Sequence, residues 1–332
     1  MRLISEIKLR AHMLLEMNPS PVVKLRLLRD VLHVPTDHAQ LQSVSSLIDQ
    51  SRQVQLLIEE QRNDGGWGAF HSRSNTSKQK TASTEVAVER AINLGLGQDH
   101  PTLERAKEYI LSIMRGENRF PDYHEKNDRW ATGMRLFLAS TLSLIDPQNE
   151  ELEADRELWR EIAIQTFRSG TYSERDEIQA HKELTGASVK NSYLKINNRY
   201  SLNVLGSKAE LLPMEVERAL LNWICDYEGG IGYLEIPLSA EPPLTKPGPI
   251  DRWFASLEMM SRLFRQSVQY LAGHIDWIWD QQDRDGLWDF GPRATTSILL
   301  PLADSWRAKG SRRIDWSTRV LLLVSSQLRA KL

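Results

Sequence analysis

Gln61-Arg-Asn-Asp-Gly-Gly-Trp67 and Gln282-Asp-Arg-Asp-Gly-Leu-Trp288 share the pattern Q-x-x-x-G-x-W and decide how the chain is read. Each follows a run of helical character, Leu56-Leu-Ile-Glu-Glu60 and Trp277-Ile-Trp-Asp-Gln281. The Gln amide can bond backbone groups that a helix end leaves unpaired, Gly permits a left-handed bend, and Trp can pack back over the corner. One copy would be an ordinary helix C-cap. Two copies with the same offsets point to a repeated helical hairpin.

Helical periodicity fills the rest of the chain. In 101–115, Leu103, Ala106, Ile110, Ile113 and Met114 form the stripe of a one-sided surface helix. In 128–145, Trp130, Met134, Leu136, Phe137, Leu138, Leu142, Leu144 and Ile145 leave little polar face, which predicts a helix buried nearly all round. The alternation recurs. Charged, one-sided helices are predicted near 3–17, 43–61, 101–115, 151–168, 213–226, 266–282 and 313–330. More apolar ones are predicted near 21–33, 82–95, 128–145, 198–206, 251–264 and 293–306. Six inner and seven outer candidates describe an all-α, (α/α)6 toroid with one extra terminal helix, a single domain over 1–332, with the two corners at outer-to-inner turns. Strand signals are confined to Gly229-Gly-Ile-Gly-Tyr-Leu-Glu-Ile-Pro-Leu238, where a short hairpin is expected. The connections 170–197 and 229–250 are long enough to form lids or cavity rims.

Composition sets the limits. At 332 residues and 41% apolar, the chain can bury one large core. Its 42 basic and 44 acidic residues nearly cancel, so no field draws it to nucleic acid. The sole cysteine, Cys225, fits a reducing compartment and reads as a small buried residue. The amphipathic N-terminus lacks the apolar stretch of a signal peptide, and no segment reaches about 18 apolar residues. A cytoplasmic address without a membrane span is expected, peripheral membrane contact being left open.

The two corners resemble the QW motif of squalene and oxidosqualene cyclases and of protein prenyltransferase β subunits, members of an α/α toroid superfamily. The resemblance implies a central cavity, an isoprenoid or similarly apolar, anion-headed substrate, and lyase, isomerase or prenyl-transfer chemistry. Elsewhere the chain departs from these families. The D-x-D-D proton donor of class II cyclases is missing, Asp283-Arg-Asp285 being the nearest run. Where prenyltransferases place the Asp-x-Cys pair that holds zinc, this chain reads Asp251-Arg252-Trp253. Asn203-Val-Leu-Gly-Ser207-Lys-Ala-Glu210 is one residue short of the second class I magnesium motif. No cofactor is predicted, and Mg2+ enters only if a diphosphate is bound.

In such a toroid the inner helices point their N-termini, the positive dipole ends, at one mouth of the cavity. Reading off those ends gives Glu85, Asp128 and Asp251 as candidate acids or bases. Arg129, Arg199, Arg252 and Arg293 are candidate anion contacts, and Trp130, Tyr200 and Trp253 candidate aromatic walls. Asp-Arg-Trp occurs twice, at 128–130 and 251–253, each time at a predicted inner-helix start. Aspartate is also a favoured N-cap and Trp a good core residue, so each copy has a purely architectural reading. His71, His124 and His181 fall on predicted loops and read as solvated. Two other functions use similar scaffolds: a carbohydrate-active lyase or hydrolase, and a non-catalytic toroid that binds a small molecule or peptide.

Overall fold

The computed structural model describes residues 2–72, 81, 83–189, 193–241, 247–292, 300–307 and 309–329. They form an all-α fold, with isolated bridges but no strand among them. In chain order the helices are α1 Arg2–Glu16, α2 Pro21–Arg26, α3 Ala39–Ser45, α4 Arg52–Glu60, α5 Thr84–Asn93, α6 Pro101–Met114 and α7 Trp130–Ile145. They continue with α8 Glu153–Thr166, α9 Glu174–Leu184, α10 Arg199–Leu205, α11 Met214–Asp226, α12 Pro247–Leu263, α13 Ser267–Asp280 and α14 Lys309–Arg329.

Local chemistry sets several starts. Ser20 and Ser83 cap α2 and α5 by accepting from Val23 N and Val86 N, with Pro21 at the first helical position of α2. Asn198 caps α10 with two bonds, from Tyr200 N at 2.7 Å and Ser201 N at 2.9 Å. The α2 helix continues as a π-helical turn over Leu27–Val31 and stops where His33 takes φ +54°.

Contacts between helices run in a closed order. The α2 and π segment packs on α14, α14 on α12, α12 on α10, α10 on α7 and α7 on α5. Arg26 and Arg29 then tie α2 back to the end of α5, donating to Asn93 O at 2.5 Å and Gly95 O at 2.8 Å. Other helices pack against this set. α1 lies on α14, α4 on α5, α6 on α5 and α7, α8 on α10, and α13 on α12 and α14. One continuous apolar core runs through all of them, from Ile7 to Val324.

The two QW-like corners have matching geometry. Trp67 Nε1 donates to Leu57 O at 2.9 Å and Trp288 Nε1 to Ile278 O at 2.7 Å, each reaching ten residues back to the preceding helix. Trp67 N donates to Thr84 Oγ1 and Trp288 N to Ser317 Oγ, so each corner also docks on the helix that follows. Gln61 Nε2 donates to Gly65 O and Thr102 O, and Gln282 Nε2 to Trp279 O. Gly65 and Gly286 sit at φ +95° and +74°. A Cβ on Gly65 would lie 2.2 Å from Arg105 O, so both backbone angle and space require glycine there.

Four expectations need correction. The apolar helix expected over 293–306 is not found in its described part: residues 300–307 are non-helical, and 293–299 lie outside the described residues. The helix α14, read from sequence as a one-sided outer helix, is instead buried along most of its length. Trp316, Val320, Leu321 and Val324 are fully buried on it, as are Asp315, Ser317 and Thr318. Its polar residues misled the reading because each has an internal partner. Asp315 accepts from Leu302 N, Ala303 N and Trp306 Nε1, and Gln327 donates to Ser267 Oγ. The 170–197 connection contains α9, started by Ser173, and the outer helix expected over 43–61 is broken into α3, a 3-10 turn and α4. The Gly229–Leu238 hairpin is a series of turns with one bridge, Gly232 to Asn198.

His181, on α9, is fully buried with neither ring nitrogen hydrogen-bonded. Burial lowers its pKa from 6.5 to about 4. The unfolded chain therefore takes up this proton first on acidification. The stability present above pH 6.5 is expected to fall by about 3 kcal/mol as pH drops to 4. Urea midpoints measured across that range should show the slope in wild type and lose it in His181→Leu; an equal slope in both would remove His181 as its source.

Candidate functional site

A cavity of about 410 Å³ opens among α2, α5, α10, α12 and α14. Helical spacing explains what faces it. Asp251, Arg252, Ala255, Glu258, Met259 and Arg262 form a stripe along α12, and Arg319, Leu322, Leu323 and Ser326 one along α14. The lining has as many charged as apolar residues, the charged ones being five arginines and three carboxylates. This explains why no single sequence signal marked it: its charged residues come from five separate helices.

Most of these charges are paired. Arg319 Nε and Nη2 grip Glu258 at 2.7 and 2.9 Å, while Nη1 bonds Asp251 and Nη2 also donates to Asp251 O. Burial opposes the charge on Arg319, but Glu258 and Asp251 more than offset it and hold the guanidinium pKa above its ordinary value. Arg199 pairs with Glu89 to the same effect, and Arg26 pairs with Asp30 at 2.5 Å. Arg262 and Arg252 differ. Arg262 is enclosed by protein yet exposed to the cavity, and its Nη2 donates only to Asn203 Oδ1 at 3.0 Å. Burial lowers its pKa, and no carboxylate lies within ion-pair distance among the described residues. Arg252 has no side-chain hydrogen bond or ion pair among those residues.

A second cluster adjoins the cavity across Tyr233, which lines it and touches both His71 and Tyr200. His71 Nδ1 lies 3.0 Å from Glu85 Oε2, and Tyr200 OH donates to Glu85 Oε1 at 2.9 Å. The imidazole stacks on Phe137 with centroids 3.8 Å apart and 8° between planes. Asp122 holds the loop beneath it by accepting from three successive amides, Phe70 N at 2.6 Å, His71 N at 2.9 Å and Ser72 N at 2.6 Å. Burial and the Glu85 carboxylate push the Tyr200 phenol well above its ordinary pKa, so it stays a donor.

No protein-family model, curated protein or solved structure matches this chain.

The candidates named from sequence are distributed as follows. Asp251, Arg252 and Arg199 line the cavity, and Glu85 and Tyr200 belong to the adjoining cluster. Asp251 is not a cap: it lies in the second turn of α12, bound to Arg319. Asp128 is exposed, two residues before α7 starts, and accepts from Ser188 N at 3.0 Å. Arg129 occupies the N-cap position of α7 without capping through its side chain, and Trp130 packs edge-on against Phe120 and His124. None of these three lines the cavity. Trp253 is buried away from it, against Phe254, His274 and Trp277, and Arg293 lies outside the described residues. The two Asp-Arg-Trp copies therefore occupy different places.

Glu89, Glu258, Arg262 and Arg319 were not singled out from sequence, and His71 was read there as a solvated loop histidine. A signal existed for Glu89, four residues after Glu85 on one helical face. Another existed for Arg319, embedded in the apolar run Val320-Leu-Leu-Leu-Val324.

Proposed function

We propose that this chain is a small-molecule enzyme of the terpene cyclase and protein prenyltransferase kind, an (α/α)6 toroid whose central cavity takes an apolar molecule with an anionic head, of the isoprenoid diphosphate class. The closed order of helix contacts and the matched corners support the toroid. The substrate class rests on one observation, the Arg262 guanidinium. It faces the cavity without a carboxylate partner, whereas Arg199 and Arg319 beside it are neutralised. A cation that faces the cavity without a carboxylate partner gains from an anionic ligand, and the apolar stretches of α12 and α14 would receive the rest of the molecule. Asp251, gripped by Arg319, serves as a charge partner in this reading, not as a free proton donor.

Titration calorimetry with farnesyl diphosphate, farnesol and inorganic pyrophosphate, with and without Mg2+, tests the proposal. The diphosphate ester is expected to bind at least ~10-fold more tightly than the alcohol, and Arg262→Gln to lose ~10- to 100-fold, the range for one charge-assisted bond. Equal affinity for ester and alcohol, or an Arg262→Gln variant that binds like wild type, would reject the anion-headed class.

A further inference from the structure

His71 is more than a packed aromatic. Two other histidines show what packing alone produces. Both ring nitrogens of His181 are sealed and unbonded; His274 has Nε2 on Leu238 O and Nδ1 sealed. In His71 only Nδ1 is engaged, at Glu85. Nε2 has no hydrogen-bond partner among the described residues, and the His71 side chain keeps 19% of its surface exposed.

The surroundings fix the proton as well as the ring. Both Glu85 oxygens accept, one from Tyr200 OH and one from the imidazole, and Tyr200 OH is nearer to Glu85 than to Nδ1, 2.9 against 3.2 Å. The Nδ1 proton therefore points at Glu85, which leaves the lone pair on Nε2. Phe137 holds one ring face, and the Asp122 clamp holds the backbone on either side. An imidazole fixed in orientation and tautomer, with an ionisable partner behind it and an open nitrogen in front, has the geometry of a general base.

We propose that His71 is a proton-transfer group at the N-terminal ends of α5 and α10. Nε2 takes the proton from a hydroxyl group or water molecule brought against it. The O–H bond breaks with its electron pair left on oxygen, the N–H bond forms, and Glu85 balances the imidazolium charge; the reverse step returns the proton. This role does not depend on what fills the neighbouring cavity.

The test uses diethyl pyrocarbonate, which acylates an unprotonated imidazole nitrogen, on the full native chain at pH 8, with modified peptides quantified by mass spectrometry. Differences in rate between histidines at one pH report the reactivity of the free ring nitrogen. His71 is expected to react ~10-fold faster than the exposed His12 and His38, and Glu85→Gln to remove that advantage while His12 is unchanged. A His71 rate no greater than that of His12, or a rate unaltered by Glu85→Gln, would overturn the proposal. Labelling of His181 reports unfolding of the variant, and in that event the wild-type ratio alone decides.

Discussion

Trp67→Ala and Trp288→Ala are each expected to lose about 3–5 kcal/mol of folding stability, read as the shift in the denaturant midpoint at constant slope. Both indoles are completely buried, so truncation leaves a cavity at the junction of two helices. It also removes the indole donor to Leu57 O or Ile278 O, each of which keeps only its backbone bond, from Gln61 N or Gln281 N at 3.1 Å. The equivalence of the corners makes the prediction sharper than either site alone. The two losses should agree within about 1 kcal/mol, given the usual scatter for one substitution in similar surroundings. The half-buried Trp130 provides the contrast, and its replacement by Ala should cost clearly less. Losses below about 1 kcal/mol would mean that the corners are ornaments on helices held by other contacts.

Arg319→Met should lose a comparable amount, about 3–5 kcal/mol, through a different mechanism. Arg319 is almost wholly buried and neutralises Asp251 and Glu258 together. Removing it leaves two carboxylates side by side in a low-dielectric wall. Asp251→Asn, which the capping argument from sequence would call harmless, is expected to destabilise as well, since the residue is an ion-pair partner within the helix. The triple variant Arg319→Met, Asp251→Asn, Glu258→Gln should recover most of the loss, because it removes the charge imbalance along with the attraction. Urea unfolding of the four proteins at one pH separates these outcomes. A triple variant as unstable as Arg319→Met would assign the loss to packing against Phe254 and Trp316, over which the guanidinium lies.

The architecture was legible where one residue type had one physical use. Q-x-x-x-G-x-W located both corners because a helix end, a left-handed glycine and a covering indole leave few alternatives. The helix at 128–145 was legible as buried because almost nothing on it needs water. The reading failed where polarity was satisfied internally. Ser317, Asp315 and Arg319 look like a solvated face in sequence, yet each bonds a group brought from elsewhere in the chain. The same cause hid the cavity and the His71 cluster. A histidine in a polar loop reads as solvated until Asp122, Glu85 and Tyr200 are brought to it from three distant stretches. The repeat of Asp-Arg-Trp misled in the opposite direction: identical tripeptides met different neighbours, so that Asp128 faces solvent while Asp251 faces Arg319.

The two corners reach their docking hydroxyls after different lengths of chain. Trp67 meets Thr84 seventeen residues on, whereas Trp288 meets Ser317 twenty-nine residues on, although both pairs form the same reciprocal bonds. The joint thus tolerates connections of different length between its halves. Closing a longer connection costs little, roughly 0.6 kcal/mol per doubling of its length. The length of chain between indole and hydroxyl can therefore differ by a dozen residues from one corner to the other while the bonds that hold the helices together stay the same.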